Sequence, residues 1–359
     1  MKIESEYMTE ESKKNIVQTV RGSISPDKLG STMTHEHLII DFSMMLREPR
    51  NPNDIEMMDA PVTMENLGWI SQYCYSNKDN LLVTDEQTAI SECIQYKKMG
   101  GGTIVDATTL GIGRNPEALA RISKASSVNI VMGAGYYVDA AQPSDVNKLT
   151  EDEIAEQIYI EITQGVGESG IKAGIIGEIG CTWPITTNEI KILRASAAAQ
   201  SQSGSAILIH PGRHETAPKE ILGILKESGA DLTRVIMGHL DRTVDSIEIL
   251  KQIAESGCTL EWDLFGNEVS YYQPSNFDMP SDAQRLEHIR TMLDDGLQDR
   301  IVVAHDICTK HRLMKYGGHG YGHFLAHVVP RMTEKGFTDG EIHSITDLNP
   351  RRLLTINQN

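Results

Sequence analysis

No stretch of this chain is long and apolar enough to span a bilayer, which argues against a membrane protein. The opening residues, MKIESEYMTEESKKNIVQTV, lack the apolar core of a secretory leader. No CxxC pair occurs, and the five cysteines (Cys74, Cys93, Cys181, Cys258 and Cys308) are scattered and odd in number. That pattern excludes a disulfide framework and a cysteine zinc knuckle, and it predicts free thiols in a reducing compartment. Basic charge is in short supply: 33 Lys and Arg face 50 Asp and Glu, a net charge of -17. Such a surface repels phosphate backbones and anionic lipid, so nucleic acid and membranes are not expected partners. No GxGxxG follows the first strand candidate, which counts against a dinucleotide-binding sheet. Aromatic residues make up only 5%, but the apolar total of 40% is enough for a full core. A cytoplasmic protein acting on a small molecule is the expectation. Its oligomeric state is left open, a homodimer included.

What the chain does have is a recurring unit: a short apolar run ending in a polar side chain. The runs end at His35 and His37, at Glu178, at His210, at His239 and at Asp306. Strand candidates cover 103–108, 128–134, 172–180, 205–210, 234–239, 258–264 and 300–306, with a first strand ending near Asp41. Segments of helical period lie between most of them. Eight alternating units predict an α/β fold, a closed (β/α)8 barrel, with a long insertion after strand 1 at 42–83. Residues 1–16 read as a flexible lead-in and 17–359 as one barrel domain. Capping-box spacings at Thr84/Gln87, Thr186/Glu189 and Thr338/Glu341 mark three helix starts. Gly100-Gly101-Gly102 precedes a strand, so it reads as a tight helix-to-strand turn and not as a phosphate loop.

His35 and His37 are two apart, so on a strand both point to one face, as two imidazoles on one metal must. Glu36 between them is expected to point outward. The other candidates end strands four, five, six and eight, and a barrel of this kind builds its site at that end. Six ligands exceed the needs of one ion. His35, His37 and Asp306 would hold one metal, His210 and His239 a second, and Glu178 would bridge them. A lone histidine on an apolar run is more often a satisfied core residue, and that plainer reading suits His305, expected to face away from the pocket. For Glu178, between Gly177 and Ile179 in a buried strand, it is poor, because a buried carboxylate without a cation costs several kcal/mol.

The stretches Thr34-His-Glu-His37, Gly174–Pro184, Ile209-His-Pro-Gly-Arg213, His239-Leu-Asp-Arg-Thr243, Asp263-Leu-Phe-Gly266, Val303–Asp306 and Met314–Tyr321 resemble the phosphotriesterase family of the amidohydrolase superfamily. The resemblance runs from Gln18 to about Leu354 and implies a binuclear metal-dependent hydrolase, with the same six residues as ligands. At the bridging position Glu178 departs from the carboxylated lysine of the bacterial phosphotriesterases, which speaks against organophosphates as native substrates. For one animal subgroup the resemblance implies an amidase that cleaves N-acetyltaurine to taurine and acetate, with Asp306 carrying a proton to the leaving amine. Mixed His and carboxylate ligands suit zinc, but also manganese, iron or cobalt. The substrate's anion needs a cation: Arg242 is the first choice, three residues after His239, with Arg213, Lys310 and Arg312 behind it. Tyr136, Tyr137 and Trp183 are candidate pocket walls, and Tyr316–Gly322 a mobile or tightly turned flap. A lactonase or esterase on the same centre, and a metal-loaded barrel that binds a metabolite without catalysis, are the alternatives.

Overall fold

The computed structural model describes residues 15–357. Eight parallel strands follow one another around a nearly closed barrel in chain order: β1 Ser31–Glu36, β2 Gly101–Asp106, β3 Asn129–Ala134, β4 Ile175–Gly180, β5 Ile207–His210, β6 Val235–Met237, β7 Thr259–Trp262 and β8 Ile301–Val303. Every residue of β2, β4, β5, β6, β7 and β8 is buried, because the barrel interior covers one face and helices cover the other. That double burial is why β5, β6 and β8 are nearly continuous apolar runs and not alternating. Between β8 and β1 the Asp306 N–H donates to the His35 carbonyl at 3.0 Å, and the Thr34 hydroxyl donates to the Val303 carbonyl at 3.2 Å. The first strand of the barrel is thereby tied to the last.

Several strands are shorter than the sequence predicts. The first ends at Glu36 and not near Asp41; Ile40 and Asp41 form a separate short strand antiparallel to Leu82–Val83. β6 and β8 stop before His239 and Asp306, which both take positive φ, +52° and +48°. A side chain in the left-handed region turns out of the strand direction, so the chain must leave the ladder there.

Capping boxes form at Thr186/Glu189 and Thr338/Glu341 as expected. The third helix start is displaced: Asp85 caps Glu86–Lys98 by accepting from the Gln87 N–H, so Thr84 is not the cap. A carboxylate one residue nearer the helix is the stronger acceptor for its free N–H groups. The glycine turn before β2 is found, with Gly100 at φ +95°. Of the expected lead-in, Asn15 and Ile16 belong to the strand Asn15–Thr19, which pairs with Gly22–Ile24 and with Thr355–Asn357; residues 1–14 lie outside the described residues. The insertion at 42–83 folds into short helical turns, including Pro52–Met58 and Leu67–Gln72, and its Phe42, Ser71, Cys74 and Tyr75 line the cavity at the barrel mouth.

Candidate metal centre

All six predicted side chains meet at the C-terminal mouth of the barrel. His37 Nε2 lies 3.2 Å from Glu178 Oε1 and 3.1 Å from Asp306 Oδ1. His35 Nε2 is 3.4 Å from Glu178 Oε2, and His239 Nε2 is 3.5 Å from the same oxygen. His210 Nδ1 lies 2.8 Å from both Glu178 Oε2 and His239 Nε2. Glu178 is thus the common member, with one oxygen toward His37 and the other toward His35, His210 and His239. Gly177 makes its position attainable: at φ +114°, with a would-be Cβ only 2.2 Å from the Leu208 carbonyl, no other residue fits there.

Two tests bear on whether these residues suit metal. His35 Nε2 is fully buried and has no hydrogen-bond partner among the described residues, a costly state for a polar atom unless something else satisfies it. Ligand atoms about 2.1 Å from one tetrahedral ion stand roughly 3.4 Å apart, close to the separations around His35, His37, Glu178 and Asp306. His35, His37 and Asp306, and likewise His35, Glu178 and His239, form groups tight enough to hold an ion. The donor set fits.

The opposite ring nitrogens explain how the imidazoles are aimed. His35 Nδ1 lies 3.1 Å from Asp263 Oδ2 and 3.3 Å from Glu261 Oε2. Asp263 Oδ1 is 2.9 Å from His239 Nδ1, and Oδ2 accepts from the His239 N–H at 2.8 Å. His37 Nδ1 meets the Thr108 hydroxyl at 2.9 Å. Partners at Nδ1 leave each Nε2 free to bind metal. Behind them Glu36 accepts from the His305 N–H, His305 Nδ1 and the Ile307 N–H at 2.8, 2.6 and 3.1 Å, clamping both sides of Asp306. Glu36 and His305 therefore face away from the centre, as the sequence predicts, yet they fix its geometry.

Electrostatics follow from four carboxylates sealed in one place. Burial opposes charge on His37, but Asp306 and Glu178 prevail and hold its pKa up at about 9. His35 is raised as well, against its own burial, chiefly by the Glu178 charge. Burial pushes Glu261 up to about 7, and Asp263 beside it adds to the rise while His35 opposes it. His210 goes the other way: burial, then His239 and Arg242, lower it. The pocket as a whole favours cations beside its carboxylates.

Other predicted residues divide. Tyr137 lines the cavity, its hydroxyl 3.3 Å from His210 Nδ1. Arg213, Arg242 and Arg312 line it too. Lys310 is instead paired with Asp79 at 2.6 Å. Tyr136 points to Gln157, and Trp183 stacks on His214 at the surface, so neither walls the cavity. Tyr316–Gly322 is the tightly turned form of the expected flap: the Gly318 N–H bonds the Leu313 carbonyl, and the buried Tyr321 hydroxyl donates to the His37 carbonyl. Glu261 and Asp263 were missed as ring-orienting groups. The signal was present, since two carboxylates spaced i, i+2 in the apolar run Thr259–Asp263 share a face just as His35 and His37 do.

An eight-stranded α/β barrel with a buried His and carboxylate centre at its C-terminal mouth defines the class: a barrel whose mouth could hold metal. The phosphotriesterase family model matches residues 15–354, and the chain belongs to that family. It is 47% identical to a phosphotriesterase-related protein of Nematostella vectensis over 344 residues, 95% of this chain and 98% of the relative. It is 46% identical to an N-acetyltaurine hydrolase of Danio rerio over 341 residues, covering 94% and 97%. Among solved structures, a resiniferatoxin-binding protein from Rhodobacter sphaeroides superposes with a TM-score of 0.91 at 34% identity, covering 94% of each chain.

Proposed function

We propose that this protein hydrolyses the amide bond of a small anionic N-acyl amine, with N-acetyltaurine the first choice, giving taurine and acetate. The observation that carries the reading is that relatives 44–46% identical over nearly the whole chain, in animals and in Dictyostelium discoideum, are named N-acetyltaurine hydrolases. The six-residue centre is compatible with that chemistry.

In this reading His35, His37 and Asp306 would hold one divalent ion, His210 and His239 would hold a second, and Glu178 would serve both. Zinc is the first choice, and manganese, iron or cobalt would suit the same donors. A bound ion pair of this kind polarises a carbonyl and activates a water for attack. The chain's own groups do the rest. Asp263, Glu261 and Thr108 aim the imidazoles through their Nδ1 atoms. Asp306, whose side chain is 14% exposed while His37 and Glu178 are at 2%, faces the cavity and moves a proton from the attacking water to the leaving nitrogen. Tyr137 limits the space beside His210, its ring edge-on to the imidazole at 4.9 Å.

The test is turnover by metal-replete protein of a panel of N-acetyltaurine, longer N-acyl taurines, N-acetyl amino acids and lactones. N-acetyltaurine is expected to give the highest kcat/KM. A preference for lactones would move the assignment to a lactonase. No turnover of any member would favour a metabolite-binding barrel.

A further inference from the structure

Three arginines line the cavity, and their commitments differ. Arg242 donates through Nη1 to the Thr243 hydroxyl at 3.1 Å, and through Nη2 to His210 Nε2 and the Pro211 carbonyl, both at 3.2 Å. It is occupied in holding His210. Arg312 is spent on backbone: it donates to the carbonyls of Asp306, Phe265 and His305, and to His319 Nε2. Only Arg213 is uncommitted. Its Nε donates to the Tyr272 hydroxyl at 2.7 Å, and its guanidinium carbon lies 5.6 Å from that ring's centroid. Among the described residues Nη1 and Nη2 make no hydrogen bond, and no carboxylate pairs with the group.

A partly buried guanidinium without a counter-charge is costly, because the site removes water without replacing the anion. Phenols surround it, namely Tyr272, Tyr137 and Tyr75. They supply polarity but no negative charge at neutral pH. The same cavity holds Glu178, His210, His239 and Asp306 at its floor. Arg213 comes from the loop after β5, whereas Tyr272 comes from the loop after β7. The Tyr272 loop is in turn fastened to the insertion: the Gln273 side chain accepts from the Tyr75 N–H at 2.9 Å and donates to the Ser76 hydroxyl at 2.9 Å. Arg213 is therefore held by its Nε with both amino groups free to meet a ligand, a fork prepared for two oxygens.

We infer that Arg213, oriented by Tyr272, is the residue that binds the anionic end of the substrate and sets the preference for acyl amines carrying a sulfonate. This rests on the amidohydrolase reading, and it reverses the order that sequence spacing suggests, in which Arg242 comes first. Arg242 is a positioning residue for His210.

The experiment compares wild type, Arg213→Met and Arg213→Lys, all metal-replete, on N-acetyltaurine and on its neutral analogue N-acetylethanolamine. Arg213→Met is expected to lose about 100-fold in kcat/KM on the sulfonate, mostly in KM, and less than about threefold on the neutral amide. Calorimetric titration with ethanesulfonate, which has no bond to cleave, is expected to show binding to wild type and none to Arg213→Met. Arg213→Lys keeps the charge but not the fork; about tenfold loss on the sulfonate alone is expected, and it serves if the apolar variant does not fold. Equal losses on both substrates, or unchanged ethanesulfonate binding, would overturn the inference. A wild type that binds ethanesulfonate through Arg213 yet cleaves neither amide would overturn the proposed reaction and leave the anion site standing.

Discussion

Asp263→Asn changes one atom of the centre and should cost it an ion. Asp263 accepts from the His239 N–H at 2.8 Å, lies 2.9 Å from His239 Nδ1, and lies 3.1 Å from His35 Nδ1. For either imidazole to bind metal through Nε2, its Nδ1 must carry the hydrogen, so all three contacts are donors to Asp263. An asparagine keeps the volume but offers only one acceptor oxygen. With its NH2 at the Oδ2 position it would oppose two donors, and at the Oδ1 position only one, so the second orientation wins. His239 must then accept at Nδ1 and carry its hydrogen on Nε2, which removes the lone pair aimed at the second ion. Loss of such an orienting carboxylate typically weakens metal binding 10–100-fold, or about 1.4–2.7 kcal/mol. Metal content measured across a chelator-buffered zinc series should show one ion at wild-type affinity and one weakened. Two ions held as tightly as in wild type would refute the tautomer argument, and with it the role given to Asp263.

Glu36→Ala strands the His305 N–H, the His305 ring and the Ile307 N–H in a buried place, and at about 1–3 kcal/mol each should lower urea-unfolding stability by at least about 3 kcal/mol. Glu36→Gln should recover part of that. Arg285→Met leaves Asp241 buried without its 2.7 Å partner, and chemical denaturation should report a loss of about 3–5 kcal/mol. Gly177→Ala drives a methyl to 2.2 Å from the Leu208 carbonyl at φ +114°; a loss of at least about 2 kcal/mol is expected, and unchanged stability would contradict the packing described around Glu178.

The six centre residues were legible because each closes an apolar run, and a barrel's topology gathers strand ends without further information. His35 and His37 were the clearest, since period two alone puts them on one face. What periodicity could not give was where each strand stops. His239 and Asp306 leave the ladder at positive φ, a backbone choice made by packing at the barrel mouth and not by local propensity. Proximity along the chain did bring Arg242 to the cavity, three residues from a candidate ligand, but it could not show that its amino groups donate to the Pro211 carbonyl, Thr243 and His210. Its rival Arg213 is held through Nε by Tyr272, 59 residues away. Trp183 looked like a wall for the same reason of proximity, yet the loop after β4 carries it outward onto His214. Glu261 and Asp263 were within reach, had the spacing rule applied to the histidines been applied to carboxylates.

The most direct test of the account is the number of divalent ions each chain retains after saturation with zinc or manganese and removal of free metal. Two per chain are expected for wild type. Glu178→Ala should retain about one and lose nearly all amidase activity, because two cations without a bridging carboxylate repel each other. One ion or fewer in wild type, or a fully active Glu178→Ala that still holds two, would contradict the central claim that these six residues form a single two-metal centre.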